Sequence, residues 1–209
     1  MGLDYAYELI AERHSADRLV RAVCEHLAPD DRTRLLGVLG LGVVDVMEHV
    51  QRDDFERQLF ERGGKDICLS FLFTADEHLT EYAKQSPVAP ADGRVQVGCV
   101  WTSIECGSRF TRLRATAATS DMSRLFERST SVRKTFSDAG RSGGALLVMF
   151  DDEREDFVSV WPIRGRFVPA GEPDSFEDDE LKLKVDAYCA DLVASARRTL
   201  GGQPADAGA

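Results

Sequence analysis

Apolar residues alternate with polar ones in several stretches of this chain, a period of two that is typical of half-buried β-strands. Near the start, Tyr5, Tyr7 and Leu9 fall on one side of such a strand. A turn at 107–108 separates two further stretches and predicts a β-hairpin. The other segments that read as strands are 65–73, 94–105, 110–119, 145–150 and 157–161.

Other stretches repeat apolar residues at the three- and four-residue spacing of helices. The helices predicted in the first three quarters of the chain cover 15–28, 74–84 and 119–139. Pro29 is expected to end the first of them, a break is expected near Ser129 in the third, and glycines at 140–144 are expected to end it. Three glycines make 35–50 ambiguous, and we interpret it as a strand, a turn and a short helix.

The strongest helical pattern begins after Phe176. Its apolar residues recur at steps of three, four and one, and they are Leu181, Val185, Tyr188, Cys189, Leu192, Val193, Ala196 and Leu200. This pattern predicts a long amphipathic helix at the C-terminal end. The following tail, 201–209, contains small and polar residues and is expected to be disordered.

Together these elements predict a single α+β domain over 1–200. Strands that come in hairpins, with helices between some of them, favour a mixed and mostly antiparallel sheet over a doubly wound parallel one. We expect about five to seven strands, with the helices packed on one face of the sheet.

The acidic net charge of the chain bears on which kinds of partner it binds. The chain has 209 residues, with 36 Asp and Glu against 26 Lys and Arg, and a formal net charge of −10. Such a balance disfavours nucleic acid and anionic membrane surfaces as partners, and it favours a basic protein. The most apolar run, 35–47, includes Asp45 and is shorter than the roughly 17 residues a membrane helix needs, so no membrane partner is expected.

The cysteine, histidine, acidic and glycine residues do not show the spacings of known cofactor, metal or redox sites. The five cysteines form no CxxC pair and lie in apolar surroundings, so we expect free, buried thiols in a reducing cytoplasm. The four histidines show no metal-binding spacing, and no metal site is expected. The acidic runs 151–156 and 177–180 are interpreted as a hairpin tip and a helix start rather than Ca²⁺ or Mg²⁺ sites. Glycines in 37–42 stand in the reverse order of a dinucleotide-binding turn, so no cofactor is expected.

One segment, 109–141, differs in charge from the rest of the chain. It contains eight basic and three acidic residues. The residues that we single out there as a candidate ligand site are Arg112, Arg114, Thr119, Ser120, Asp121 and Arg124. Arginines and hydroxyls beside a helix start suit an anion or carboxylate, with Asp121 available for acid/base work. The alternative is that these arginines pair with the protein's own excess of acids.

Two stretches carry a resemblance to a known family. The opening MGLDYAYEL and the segment RATAATSDMSRLFERSTSVRKTF resemble an uncharacterised family of small bacterial α+β proteins that begin MGLDY. That family has no assigned activity, so the resemblance implies no catalytic residue. It directs attention to 116–126.

Three functions from different classes follow. The leading hypothesis is a non-enzymatic cytoplasmic binding protein of the immunity or toxin-neutralising kind, whose acidic surface complements a basic partner. The alternative is a small-molecule or anion-binding module, or an enzyme, with a site at the strand-to-helix turn around residue 119. The third is an oligomerisation domain that uses the C-terminal helix.

The C-terminal helix provides a first prediction. Leu192→Ala should lower the free energy of unfolding by about 2–5 kcal/mol, because it would leave a cavity under a docked apolar face. Urea unfolding of the full chain measures this loss. A change below about 0.5 kcal/mol, the size usual for surface substitutions, would show that the helix is not docked.

Overall fold

A computed structural model describes residues 4–38, 67–84, 92–106, 110–154, 157–161 and 165–167. The strands in these ranges are β1 (Ala6–Glu12), β2 (Ile67–Thr74), β3 (Arg94–Cys106), β4 (Phe110–Thr116), β5 (Ala145–Asp151), β6 (Phe157–Trp161) and β7 (Gly165–Phe167). The helices are α1 (Ala16–Cys24), α2 (Pro29–Val38), α3 (Glu77–Ala83), α4 (Ser120–Arg128) and α5 (Thr130–Gly143).

The seven described strands form one sheet in the order β2-β3-β4-β1-β5-β6-β7. Every neighbouring pair is antiparallel. The predicted α+β class is therefore confirmed, as is the β3–β4 hairpin, in which Trp101 lies opposite Thr116. The central strand is β1, which places the beginning of the chain between β4 and β5.

The core lies between the sheet and the helices, and Tyr7 is at its centre. The Tyr7 ring stacks on Phe136 of α5 at 4.6 Å between centroids, and it also contacts Phe126 of α4 and Phe150 of β5. Its hydroxyl donates a 2.9 Å hydrogen bond to the backbone carbonyl of Phe126. Burial raises the pKa of Tyr7 to about 12, so this donor keeps its proton at physiological pH.

The junction between α4 and α5 depends on one carboxylate. Asp76 Oδ1 accepts from the backbone N–H of Leu79 at the start of α3. Its Oδ2 accepts from the Ser129 hydroxyl at 2.6 Å and from the N–H of Ser131 at 3.0 Å, while Ser129 Oγ accepts from the N–H of Val132. Asp76 thus satisfies backbone donors at the starts of two helices. The predicted break near Ser129 is confirmed, because α4 ends at Arg128 and α5 begins at Thr130.

The outer edge of β2 is occupied by the connection between α1 and α2. The N–H of Ala28 donates to the carbonyl of Ser70, the N–H of Leu72 donates to the carbonyl of His26, and Asp31 Oδ2 accepts from the N–H of Ser70. The N–H and carbonyl groups of Ser70 and the N–H of Leu72 therefore have hydrogen-bond partners on the side of the strand away from β3, which an edge strand ordinarily lacks.

Two predictions near the start of the chain are wrong in part. The helix predicted over 15–28 is present as α1, but it ends at Cys24 instead of reaching Pro29, where a second helix, α2, begins. Proline has no N–H to lose at the first helical position, and Asp30 and Asp31 favour the positive end of the helix dipole. The strand expected from residue 35 onward is also wrong for 35–38, which continue α2.

The prediction that the cysteines are buried is confirmed for Cys24 and is wrong for Cys99, which is exposed. The glycine end of the third predicted helix is confirmed, because Gly144 caps α5 in the left-handed conformation, with φ of 73°. The remainder of the ambiguous segment lies outside the described residues. So do the C-terminal amphipathic helix and the tail 201–209.

Because Asp76 accepts hydrogen bonds at the starts of two helices, its substitution should lower the stability of the protein. Asp76→Ala should lower the free energy of unfolding by about 1–3 kcal/mol, since it removes the acceptors at two helix starts. Asp76→Asn keeps one acceptor oxygen and should lose less. Thermal and urea unfolding of both variants measure these losses, and equal stability of Asp76→Ala and the parent would contradict the assignment.

The same carboxylate predicts a pH dependence. Burial raises the pKa of Asp76, but the hydrogen bonds from Ser129, Leu79 and Ser131 lower it by more, so that it lies below its ordinary value of 3.8. The stabilisation by the charged form is thus present above that value and is lost as the pH falls through the lower folded value. The stability difference between the parent and Asp76→Asn should narrow below about pH 4.

Candidate functional site

The face of the sheet opposite the described helices, here called the outer face, carries several charged side chains. In β1, Tyr7 and Leu9 belong to the helix-facing core, so the alternation of the strand turns Glu8 to the outer face. Glu8 lies opposite Arg114 of β4, and Arg112 of β4 lies opposite Glu105 of β3. The charged cluster consists of Glu8, Glu105, Arg112, Arg114 and Asp151.

Short ion pairs join the members of the charged cluster. Arg114 Nη1 lies 2.6 Å from Glu8 Oε1, and Arg114 Nη2 lies 3.0 Å from Asp151 Oδ2. Arg112 Nη2 lies 2.6 Å from Glu105 Oε2, and its Nη1 is 3.9 Å from Glu8 Oε2. Because these residues belong to β1, β3, β4 and β5, the pairs join four adjacent strands.

Glu8 is the most deeply placed member of the cluster. Only 4% of its side chain is exposed. Burial raises the pKa of Glu8, and the guanidinium groups of Arg112 and Arg114 oppose that rise. A buried carboxylate needs such partners, because an unpaired charge in the protein interior is strongly destabilising.

An open hollow of about 520 Å³ adjoins the charged cluster at the side of β3. Its lining consists of Asp4, Trp101, Ser103, Arg114, Thr116, Ala117 and Ala118. The Arg114 side chain, which lines the hollow, is 32% exposed, and Trp101 as a whole residue is 49% exposed. Within the described ranges, Trp101 is the large hydrophobic residue that is exposed.

The positive charge of Arg114, which lines the hollow, is offset by neighbouring carboxylates. Its Nε donates to Thr116 Oγ1, and its two Nη atoms donate to Glu8 and Asp151. The hollow and the charged cluster together contain four carboxylates and two guanidinium groups, and carboxylates stay in the majority even when Glu8 is protonated. These six groups carry a net formal charge of −2, or −1 when Glu8 is protonated, and a net negative charge favours a cation.

The structure divides the six predicted site residues into two groups. Arg112 and Arg114 come together on the outer face. The residues of the turn lie at the start of α4, where Thr119 Oγ1 accepts from the N–H of Met122 and Arg124 Nη1 donates to Asp121 Oδ1 at 2.9 Å. Ser120 is the first residue of that helix.

The two groups lie on different sides of the sheet. The helix α4 packs its buried face, including Met122 and Phe126, into the helix-facing core, whereas the two arginines of β4 lie on the outer face. The hollow lies between the groups, because Thr116, Ala117 and Ala118 lead from β4 to the turn.

Sequence reasoning did not single out Trp101, Ser103, Asp4 or Glu8. A signal for the first two exists: Trp101, Ser103 and Glu105 occupy alternate positions of one predicted strand, so a tryptophan on the polar side of β3 stands out. Glu8 carries no comparable signal, since a glutamate in an alternating strand ordinarily faces water.

Neither the geometry of the described residues nor similarity to known proteins assigns a metal, a membrane span or a family to this chain. Among the described residues, no three His, Cys, Asp or Glu side chains come together as metal ligands. Within the same ranges, no helix is long and apolar enough to cross a membrane. Comparison with protein-family models, with curated proteins and with solved structures gives no match.

The charged cluster predicts a large loss of stability for one arginine substitution and a small change for another. Arg114→Met should lower the free energy of unfolding by about 3 kcal/mol near pH 7, because it leaves Glu8 with only the longer contact to Arg112. The loss should shrink as the pH falls, since protonation neutralises Glu8. The matched variant Arg124→Met removes an exposed pair and should change stability by less than about 1 kcal/mol.

Urea unfolding at two pH values measures both variants. Equal and small effects would contradict a structural role of the cluster. If added phosphate raised the melting temperature of the parent but not of Arg114→Met, an anion site would be favoured over internal pairing.

Proposed function

We propose that the protein is a non-enzymatic binding protein that recognises a basic protein partner through the outer face of its sheet, at Trp101. The observation that carries this proposal is a half-exposed tryptophan beside an open hollow, which together with the adjoining charged cluster holds four carboxylates and two guanidinium groups. Tryptophan is enriched among the residues that contribute most to protein–protein binding, because it brings a large apolar surface with little rotamer freedom to lose.

The strands under Trp101 support this use. Trp101 lies on β3 opposite Thr116 of β4, and the charged cluster fixes β4 to both β1 and β3. A side chain presented by paired strands is already in place before the partner arrives, so binding loses less conformational entropy than it would on a loop.

Charge supports a basic partner. The chain carries a formal net charge of −10, and the carboxylates around the hollow place part of that charge at the proposed contact. Complementary charge raises the association rate and disfavours acidic competitors. Neutralisation of a basic toxin in the cytoplasm, as an immunity protein would do, is an activity of this kind.

A second candidate uses the same hollow. Its volume of about 520 Å³ is within the range of roughly 300–1,000 Å³ that small-molecule pockets occupy. A small-molecule module, or an enzyme acting near the turn at residue 119, would therefore find space there. The pairing of Arg112 and Arg114 with carboxylates makes a cationic molecule a better occupant than an anionic one.

Affinity capture with matched variants tests the proposed function. The immobilised parent protein should retain a protein of net positive charge from a lysate of its source cells, and Trp101→Ala should weaken that binding at least about tenfold, as expected for a dominant contact residue. Tyr82→Ala serves as the control, since Tyr82 is a partly buried aromatic residue that packs against the helix-facing core from α3, away from the outer face.

The captured protein is then purified, and its binding is measured by calorimetry at two salt concentrations. Weaker binding at high salt would support the charge complementarity. Retention that is equal for the parent and Trp101→Ala, or no captured protein at all, would contradict the proposal.

A further inference from the structure

The hollow beside Trp101 combines an aromatic face with a carboxylate and a hydroxyl. Asp4 is exposed, and no ion pair involves it within the described part of the chain. Ser103 lies opposite Arg114 in the β3–β4 pair and lines the same hollow. These groups present a π surface and oxygen acceptors to whatever enters.

We infer that this hollow is a receptor for an arginine side chain of the partner, with its guanidinium group over the Trp101 indole and its N–H groups directed to Asp4 and Ser103. This inference rests on the proposed function and specifies the chemistry of the contact. It makes Trp101 and Asp4 the residues that select the partner.

The chemistry of guanidinium fits the groups that the hollow offers. It is planar and weakly hydrated, so it stacks on an indole face and leaves its edge free for hydrogen bonds. A carboxylate accepts two of its N–H groups in a fork, and a hydroxyl oxygen accepts another. A lysine ammonium can approach the same indole, but it is more strongly hydrated and lacks the flat edge.

The arginine already present does not compete for this role. Arg114 is held by Glu8, Asp151 and Thr116 on its own side of the hollow. Those carboxylates offset its charge, so a second guanidinium group meets a negative environment rather than an unpaired like charge. An anionic ligand, by contrast, would have to compete with two carboxylates for Arg114 and would face the carboxylate of Asp4.

The test uses the full chain and small probes. The probes are N-acetyl-arginine amide, its neutral isostere N-acetyl-citrulline amide, N-acetyl-lysine amide and sodium acetate. The protein has two tryptophans, so its indole N–H region in a ¹⁵N-correlated NMR spectrum contains two signals, and Trp161→Phe assigns them. A single side chain is expected to bind in the millimolar range, which titration of these signals measures.

The arginine probe should shift the Trp101 signal in a saturable manner, the lysine probe should bind more weakly, and the citrulline probe and acetate should leave it unchanged. Asp4→Asn should weaken the arginine probe by about threefold to tenfold, as loss of one charged hydrogen-bond partner predicts. The control Asp121→Asn alters a carboxylate that pairs with Arg124 on α4 and should leave the probe's affinity unchanged.

Several outcomes would overturn the inference. Equal shifts with arginine and citrulline would show that charge plays no part, a shift with acetate alone would identify an anion site at Arg114, and no shift with any probe would show that the hollow binds none of these groups. If the arginine probe fails while Trp101→Ala still abolishes partner binding, the proposed function stands and the contact at Trp101 is apolar.

Discussion

The arrangement of the sheet depends on one carboxylate that is almost completely removed from water. Glu8 lies in the central strand, and both of its oxygens have an arginine of β4 within 4 Å. Tyr7, its neighbour, is buried on the other face among aromatic rings. A one-residue slip of β1 would exchange these environments, bringing a charge into the aromatic core, so the position of Glu8 specifies the pairing of β1 with both neighbouring strands.

This constraint also separates structural from recognition chemistry on the outer face. Arg112 and Arg114 pair with carboxylates of the protein itself. These two basic residues of the segment 109–141 are therefore neutralised within the chain. Trp101 is accessible on the same face and lines the hollow together with Asp4 and Ser103. The rigid and the accessible parts of the face are thus adjacent but chemically distinct, which is the arrangement expected of a preformed binding surface.

Most of the described fold could be predicted from period and turn residues, because strands with one buried face show a clean alternation. The β3–β4 hairpin and the glycine end of α5 are of this kind. The helix α2 was not predicted, because a proline can either end a helix or occupy its first position. The sequence pattern predicts Pro29 as the end of the preceding helix, whereas it is the first residue of α2. The charged cluster could not be predicted from the sequence, because Glu8 and Arg114 are more than a hundred positions apart. Only the order of the strands in the sheet brings them together.

The closure of the β2 edge has a consequence for how copies of this chain behave at high concentration. An uncovered strand edge is a template on which a second chain can add a strand and begin aggregation. Here the backbone of His26 and Ala28, with the side chain of Asp31, occupies the groups through which such growth would start at β2. Local opening of the α1–α2 connection would expose these groups while the rest of the sheet stays paired.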